Sequence, residues 1–309
     1  MEVLNMIINL LFSLAVALLF SPLLCGIINR IKALFAGRKG APLLQMYFDL
    51  YRLFRKQTLV SRTTTLVFLI SPVIIFVTSL SAVIFVPILP GGGYISFTGD
   101  FILLFYLLGL GRFFLVISAL DTGSPFEGMG ASREVFFSAM AEPVIFIAML
   151  TILRLNGAES FTEAISTETG KNWIILALTA IPLFIVMLAE NARLPFDDPN
   201  THLELTMIHE VMILDNSGPG LALLEWAAAI KLWLFSLIIV KILLPVTALS
   251  PGIYFAVTIL SVLLISMIVG VVESVLARSS LPKVPQLLFS SGIIAFLGFF
   301  LSFSNFFVW

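Results

Sequence analysis

The sequence is short of charge: Asp, Glu, Lys and Arg make up only 11% of its 309 residues. A soluble domain of this length needs far more polar surface, so a freely soluble globular protein is excluded. It has a single cysteine, Cys25. That excludes an intrachain disulfide and leaves no cysteine cluster to hold an iron–sulfur centre, so any redox chemistry belongs to partners. There is no basic excess either: 17 Lys and Arg stand against 18 Asp and Glu, a net charge of -1. Such a balance offers no field for nucleic acid. The N-terminus reads Met-Glu-Val and lacks the basic stretch of a cleaved signal, so a retained first span is expected.

What the sequence has is apolar length. Hydrophobic residues make up 60% of it, and the mean hydropathy is +1.10. Runs of about 20 apolar residues recur from end to end, long enough to cross a bilayer as helices. A membrane barrel would show shorter alternating segments instead. The expected spans are about 3–28, 66–87, 101–119, 135–153, 173–190, 223–245, 252–275 and 285–307. The fold class is therefore an all-α polytopic membrane protein, one integral domain over 1–309 with about eight transmembrane helices. Within the first loop, residues 42–54 place Leu43, Leu44, Tyr47, Leu50, Tyr51 and Phe54 at helical spacing, an amphipathic helix for an interface or a partner.

The placement of charge gives the orientation. Loops 30–64, 120–134, 191–222 and 276–284 fall on one side and carry twelve Lys and Arg, whereas the other side carries Arg154 and Lys171. The positive-inside rule puts the four loops in the cytoplasm and both termini outside.

Seven charges fall inside or at the edge of spans: Arg112, Glu142, Glu190, Glu225, Lys231, Lys241 and Glu273. Ionised groups in hydrocarbon are costly and usually face a protein interior or a wet cavity. Glu142, seven residues into the fourth span, and Glu190 are the functional candidates. Arg112 reads as a counter-ion for Glu142, and Lys241 as a long side chain snorkelling at the outer boundary. Glu225 lies six residues before Lys231, so the two are not an i,i+4 pair. Asp197 and Asp198, flanked by Pro195 and Pro199, read as caps of a following short helix. Clustered carboxylates of this kind raise one another's pKa and can pass protons near neutral pH. Other motifs fail: His209-Glu210 lacks the second histidine of a zinc hydrolase, His202 and His209 make no metal set, and Gly109-Leu-Gly111 sits within a span. Cys25 reads as a small membrane-facing or packing residue.

Three segments carry a family resemblance. Glu190-Asn-Ala-Arg193-Leu-Pro195-Phe196-Asp197 is similar to a signature Glu-x-x-Arg-x-Pro-Phe-Asp. Gly37-Arg38-Lys39-Gly40-Ala-Pro42 through Gln45 resembles a first-loop element. Ala119-Leu-Asp121-Thr-Gly-Ser-Pro-Phe126, followed by Gly130-Ala-Ser-Arg133-Glu134, completes the set. Together they resemble the membrane-arm protein shared by respiratory complex I, where its loops help form the quinone chamber, and the group 4 nickel–iron hydrogenases. The third segment is similar to the formate hydrogenlyase and hydrogenase-4 type of that protein. Over nearly the whole chain the resemblance implies the eight-helix fold of this complex I component, in a prokaryotic cytoplasmic (inner) membrane.

It further implies a non-catalytic subunit that anchors a peripheral redox arm and links it to H⁺ or Na⁺ movement. The implied partners are a hydrogenase-like large subunit, an iron–sulfur small subunit and antiporter-like membrane subunits. Iron–sulfur clusters, and nickel–iron where it is retained, would sit in those partners and no cofactor in this chain. The implied ion-coupling residues are Glu142, Glu190, Arg193, Asp197, Asp198, Glu204 and Glu210. The implied docking residues are Arg38, Lys39, Gln45, Arg52, Asp121, Glu127, Arg133 and Glu134. One departure is Asp198-Pro-Asn-Thr-His202, where relatives carry an acidic and alanine-rich pattern. The alternatives are a quinone-site subunit of a complex I-like NADH or ferredoxin:quinone oxidoreductase, and a purely structural anchor. A transporter acting alone would need inverted repeats, and none is evident.

Overall fold

The computed structural model describes residues 2–61, 63–89, 95–166, 172–197, 207–244, 250–277 and 279–304, without the side chains of 2–5 and 304. Among these, eight helices are long and apolar enough to cross a membrane. They are α1 (Glu2–Phe35), α3 (Leu66–Ala82, continued by a 3-10 turn at Val83–Phe85), α4 (Asp100–Asp121), α5 (Pro125–Asn156), α7 (Trp173–Glu190), α9 (Gly218–Leu243), α10 (Pro251–Val275) and α11 (Lys283–Ser304). Three short helices, α2 (Gln45–Phe54), α6 (Phe161–Ser166) and α8 (His209–Met212), lie between them.

Several ends differ from the pattern-based spans, for local reasons. Helix α1 runs past Arg30 and Lys32 because nothing in 27–36 breaks it. It stops at Gly37, in the left-handed region at φ 66°, where Arg38 N–H bonds the Ala33 carbonyl at 2.8 Å. The polar stretch 120–134, expected as a loop, is irregular only over 122–124. Ser124 stands at the N-cap and Pro125 is pre-set for the first helical turn, so α5 starts ten residues before the apolar run. Glu127, Arg133 and Glu134 are therefore helical. Helix α9 starts in the same way, with Ser217 at the cap and Pro219 in the first turn.

Helix α9 is the hub. It packs against α1, α2, α3, α7 and α10, and most of its residues are buried. A helix apolar all round belongs in such a position. Helices α5, α7 and α11 pack together on one flank, and α3 with α4 on another. The amphipathic α2 forms as expected. It buries Leu50 and Leu53 against Ala222 of α9 and leaves Phe48, Tyr51 and Phe54 exposed.

Polar contacts fix both ends of the bundle. On the side away from α2, the fully buried Asp100 accepts from Phe161 N–H at 2.6 Å, Thr162 N–H at 3.2 Å and the Thr162 hydroxyl at 3.0 Å, tying α6 to the start of α4. On the α2 side, Asp121 accepts from Thr65 N–H at 2.6 Å and its hydroxyl at 3.0 Å, while Thr65 caps α3. Asp121, expected to face a partner, thus joins α3 to α4.

Candidate functional site

The site grows from the end of α7. Ala192 adopts φ 48°, left-handed and unusual for a residue with a Cβ. Arg193 N–H closes back on the Leu188 carbonyl at 2.9 Å and ends the helix. The reversal sends neighbouring side chains in opposite directions, and two charged networks result.

The first network is centred on Arg112 of α4. One guanidinium nitrogen bridges both oxygens of Glu190 at 2.6 Å, and another donates to Glu142 at 2.8 Å. Its Nε lies 3.8 Å from Glu134. Lys231 of α9 approaches Glu190 at 3.6 Å. Glu190 is 3% exposed and Arg112 12%, whereas Glu142 is 48% exposed on the bundle's flank. Two cations thus serve three carboxylates, and one carboxylate in excess can hold a proton. Arg112 is the expected counter-ion of Glu142, but its tightest partner is Glu190. Glu134, expected at a docking loop, belongs here because α5 begins early enough to turn it inward.

The second network joins α1, α10 and the 193–197 turn. Arg193 donates to Glu273 at 3.4 Å and to the Cys25 sulfur at 3.4 Å; Lys32 pairs with Glu273 at 2.9 Å. Cys25 is thus a polar contact of the signature arginine and not merely a packing residue. Burial opposes the charge on Arg193, but Cys25 and Glu273 outweigh it and hold the guanidinium above its ordinary value.

Two cavities connect these groups. One of about 40 Å³ is lined by Arg112, Glu134, Glu190, Asn191, His209 and Lys231, among others. The other, of about 240 Å³, opens between α1, α2 and α9 and is lined by Cys25, Gln45, Arg193, His209, Glu210 and Glu225, among others. Asn191 and His209 line both. Burial, reinforced by Lys231 and Arg193, pushes His209 down to about 4, so it is neutral at pH 7. Burial, then repulsion from Glu225 and Asp197, pushes Glu210 up to about 7 against the pull of Arg193. A carboxyl poised there exchanges protons at physiological pH. Asp197 and Asp198 are expected as caps of the next helix, but the N-cap of α8 is Ile208, Asp198 lies outside the described residues, and Asp197 reaches α8 from eleven residues earlier. Its Oδ2 accepts from Ile208 N–H at 2.9 Å and His209 N–H at 3.1 Å, which sets α8 and with it His209 and Glu210.

The remaining candidates divide. Gln45 donates to both oxygens of Asp49 at 3.1 Å, and Arg52 pairs with Asp49 at 2.9 Å. Arg38 and Lys39 are exposed in the turn before α2. Arg133 donates to the Met207 carbonyl at 3.0 Å and so holds the approach to α8. Glu127 is 1% exposed and bonded to the Thr122 hydroxyl, which removes it from any docking surface. Asp198 and Glu204 lie outside the described residues, as does His202. Lys241 does not snorkel: it is 4% exposed, held by the Ile88 carbonyl at 2.9 Å and the Tyr254 hydroxyl at 2.8 Å. The Ile88 carbonyl, in the segment after α3, thus lies against the end of α9. Sequence reasoning leaves Lys32, Lys231 and Glu273 without partners, since each pairs with a residue far away in the chain. Among the described residues, no three His, Cys, Asp or Glu side chains are grouped as a metal ion requires.

Residues 7–303 match the family model described as NADH dehydrogenase. The chain is 33% identical to hydrogenase-4 component C of Escherichia coli (strain K12), over 87% of this chain and 88% of that one. It is 29% identical to formate hydrogenlyase subunit 4 of the same organism, over 97% of this chain and 98% of that one. NADH-ubiquinone oxidoreductase chain 1 of Chondrus crispus is 27% identical over 59% of this chain and 55% of that one. In fold, the chain superposes with a TM-score of 0.83 on a chain of an archaeal respiratory membrane complex, the membrane-bound sulfane sulfur reductase. That match covers 96% of this chain and 99% of the other at 21% identity.

Proposed function

The chain belongs to the NADH dehydrogenase family, and we propose that it is the ion-coupling membrane subunit of a hydrogenase-like oxidoreductase complex in a prokaryotic cytoplasmic membrane. The observation that carries this reading is the Arg112 network: three carboxylates and two cations gathered from α4, α5, α7 and α9 within the spanning part of the bundle. A plain anchor has no use for so many charges there, because each is costly away from water. The redox partners would dock on the basic side, at α2 and the turn before it. Their iron–sulfur clusters, and nickel–iron where retained, would supply the electrons.

The coupling follows from how the parts share residues. A change at the docked partner reaches the larger cavity first, where Glu210 takes up or releases a proton. His209 and Asn191 stand between that cavity and Glu190. A change of charge at the cavity would alter the hold of Glu190 on Arg112 and free the guanidinium for Glu134 and Glu142. Glu142, half exposed on the flank, is where an antiporter-like membrane partner would receive the change. The test is the ion gradient formed per electron pair in sealed vesicles before and after Glu190→Gln. A lower ratio with turnover intact supports coupling; an equal ratio leaves the chain an anchor.

A second reading is favoured by the larger cavity. It opens beside an amphipathic helix at the membrane edge, where a lipophilic quinone would enter from the bilayer. Quinone retained stoichiometrically by the purified complex, and displaced by enlarging Ala229 on the cavity wall, would favour it.

A further inference from the structure

A third line of polar groups runs from the second network toward the other end of the bundle. On α10 the buried face carries Tyr254, Thr258, Ser266 and Glu273. Nineteen residues of helix span roughly 28 Å, close to the full hydrocarbon thickness of about 30 Å. On the two helices packed against α10, Ser21 of α1 and Trp233 of α9 are fully buried. Helices α1, α9 and α10 all pack against one another.

Three of these polar atoms have no hydrogen-bond partner among the described residues: Ser21 Oγ, Thr258 Oγ1 and Trp233 Nε1, each in a residue at most 1% exposed. Unsatisfied donors and acceptors in a membrane interior are costly, and the usual partner of such atoms is internal water. The two ends of the line are built. At one end, Lys241 binds the Ile88 carbonyl and the Tyr254 hydroxyl, with its ammonium 4.4 Å from the Tyr254 ring centre. No carboxylate among the described residues pairs with it. At the other end, Cys25, one helical turn beyond Ser21, touches Arg193 and opens on the larger cavity.

We propose that the seam between α1, α9 and α10 holds a file of internal water and conducts protons between the larger cavity and the opposite membrane face, with Lys241 as its terminal titratable group. Thr258 lies one turn from Tyr254, and Trp233 about two turns from Lys241 on α9. Polar stations therefore recur along the seam at steps that one or two waters bridge. A proton entering at one end protonates the first acceptor, and each hydrogen bond along the file hands one on. Lys241 cycles between ammonium and amine and returns to its starting state, so nothing is oxidised or reduced. The hydration of the seam stands on the geometry alone; its use as a route rests on the coupling function proposed above.

The test has two arms, both on the assembled complex. In microsecond hydroxyl-radical footprinting, internal water makes a buried side chain reactive. Trp233 should be oxidised about tenfold faster than the equally buried Phe235, after correction for intrinsic reactivity. Thr258→Val, which keeps the shape and removes the hydroxyl, should lower that rate. Protection of Trp233 equal to that of Phe235 overturns the hydrated seam. In sealed vesicles, Lys241→Met and Thr258→Val should each lower the gradient per turnover by about half or more while electron transfer to artificial acceptors is kept. Should Lys241→Met fail to assemble, Thr258→Val and Ser21→Ala carry the same test. A gradient lost in Glu190→Gln but unchanged in all the seam variants overturns the route and leaves the coupling function standing. A gradient unchanged in Glu190→Gln as well strikes the coupling function itself.

Discussion

Glu190 and Arg193 stand three residues apart and serve different networks: Glu190 binds Arg112 at 2.6 Å, and Arg193 binds Glu273 at 3.4 Å. The left-handed Ala192 between them makes this possible. The signature segment is thus a junction, and movement of the turn bears on both networks at once.

Arg112 is the member whose loss leaves the most charge uncompensated. Arg112→Met should destabilise the purified chain by about 3 kcal/mol, because Glu190 would be left with only the more distant Lys231. Arg112→Lys should recover part of this while losing the fork that spans two carboxylates. Denaturation in detergent measures both; a cost below about 1 kcal/mol for Arg112→Met would show that the network is not held by this residue.

Asp197 sets α8 through two backbone N–H groups. Asp197→Ala should cost about 1–2 kcal/mol, and Asp197→Asn, which keeps an acceptor, less. Because α8 carries His209 and Glu210, limited proteolysis across 207–216 should also accelerate in the alanine variant. Unaltered proteolysis would mean that α8 is held by its packing alone.

Glu210, pushed up to about 7, gives a pH dependence of definite sign. Between the ordinary carboxylate range and pH 7, the folded chain keeps a proton that the unfolded chain has lost. The contribution is present at low pH and disappears as pH rises through about 7, so stability falls over that window. Glu210→Gln should remove this part of the slope and raise Tm at pH 8 relative to the parent, with little difference at pH 4.5. Parallel Tm profiles for the two proteins would contradict the poised carboxyl.

Docking is tested at the exposed turn and α2. Reversing Arg38, Lys39 and Arg52 together should reduce co-purification of the soluble arm while the chain still inserts. Among the described residues the exposed Arg52 pairs with the partly buried Asp49 alone, so the fold should tolerate the change. Undiminished co-purification would remove this surface from the docking account.

The spans are legible in the sequence because apolar length is a direct physical requirement of the bilayer. The amphipathic α2 is legible from its one-sided periodicity. The rotation of each span about its axis is not, because helices such as α9 are apolar all round and carry no stripe to orient them. Hence Glu142 and Glu190 can be chosen as candidates, but Lys231 cannot be assigned to Glu190, forty-one residues earlier on another helix. The starts of α5 and α9 are readable in principle from Ser124-Pro125 and Ser217 with Pro219. Hydropathy outweighs those capping signals and puts Glu134 on the wrong side of a helix boundary. Lys241 shows the limit of a single-helix argument: its burial depends on a segment that precedes it by more than 150 residues.

The central claim is that the Arg112 network couples redox turnover to ion movement. The most direct measurement is the ion gradient per electron pair in sealed vesicles containing the complete complex, for Glu142→Gln, Glu190→Gln and the parent. The amide keeps shape and hydrogen bonding but cannot titrate, so assembly and electron transfer to artificial acceptors should be unchanged. The account predicts a gradient-to-turnover ratio at least several-fold lower in Glu190→Gln, and lowered in Glu142→Gln. Ratios equal to the parent in both variants, with every partner protein retained, would contradict it.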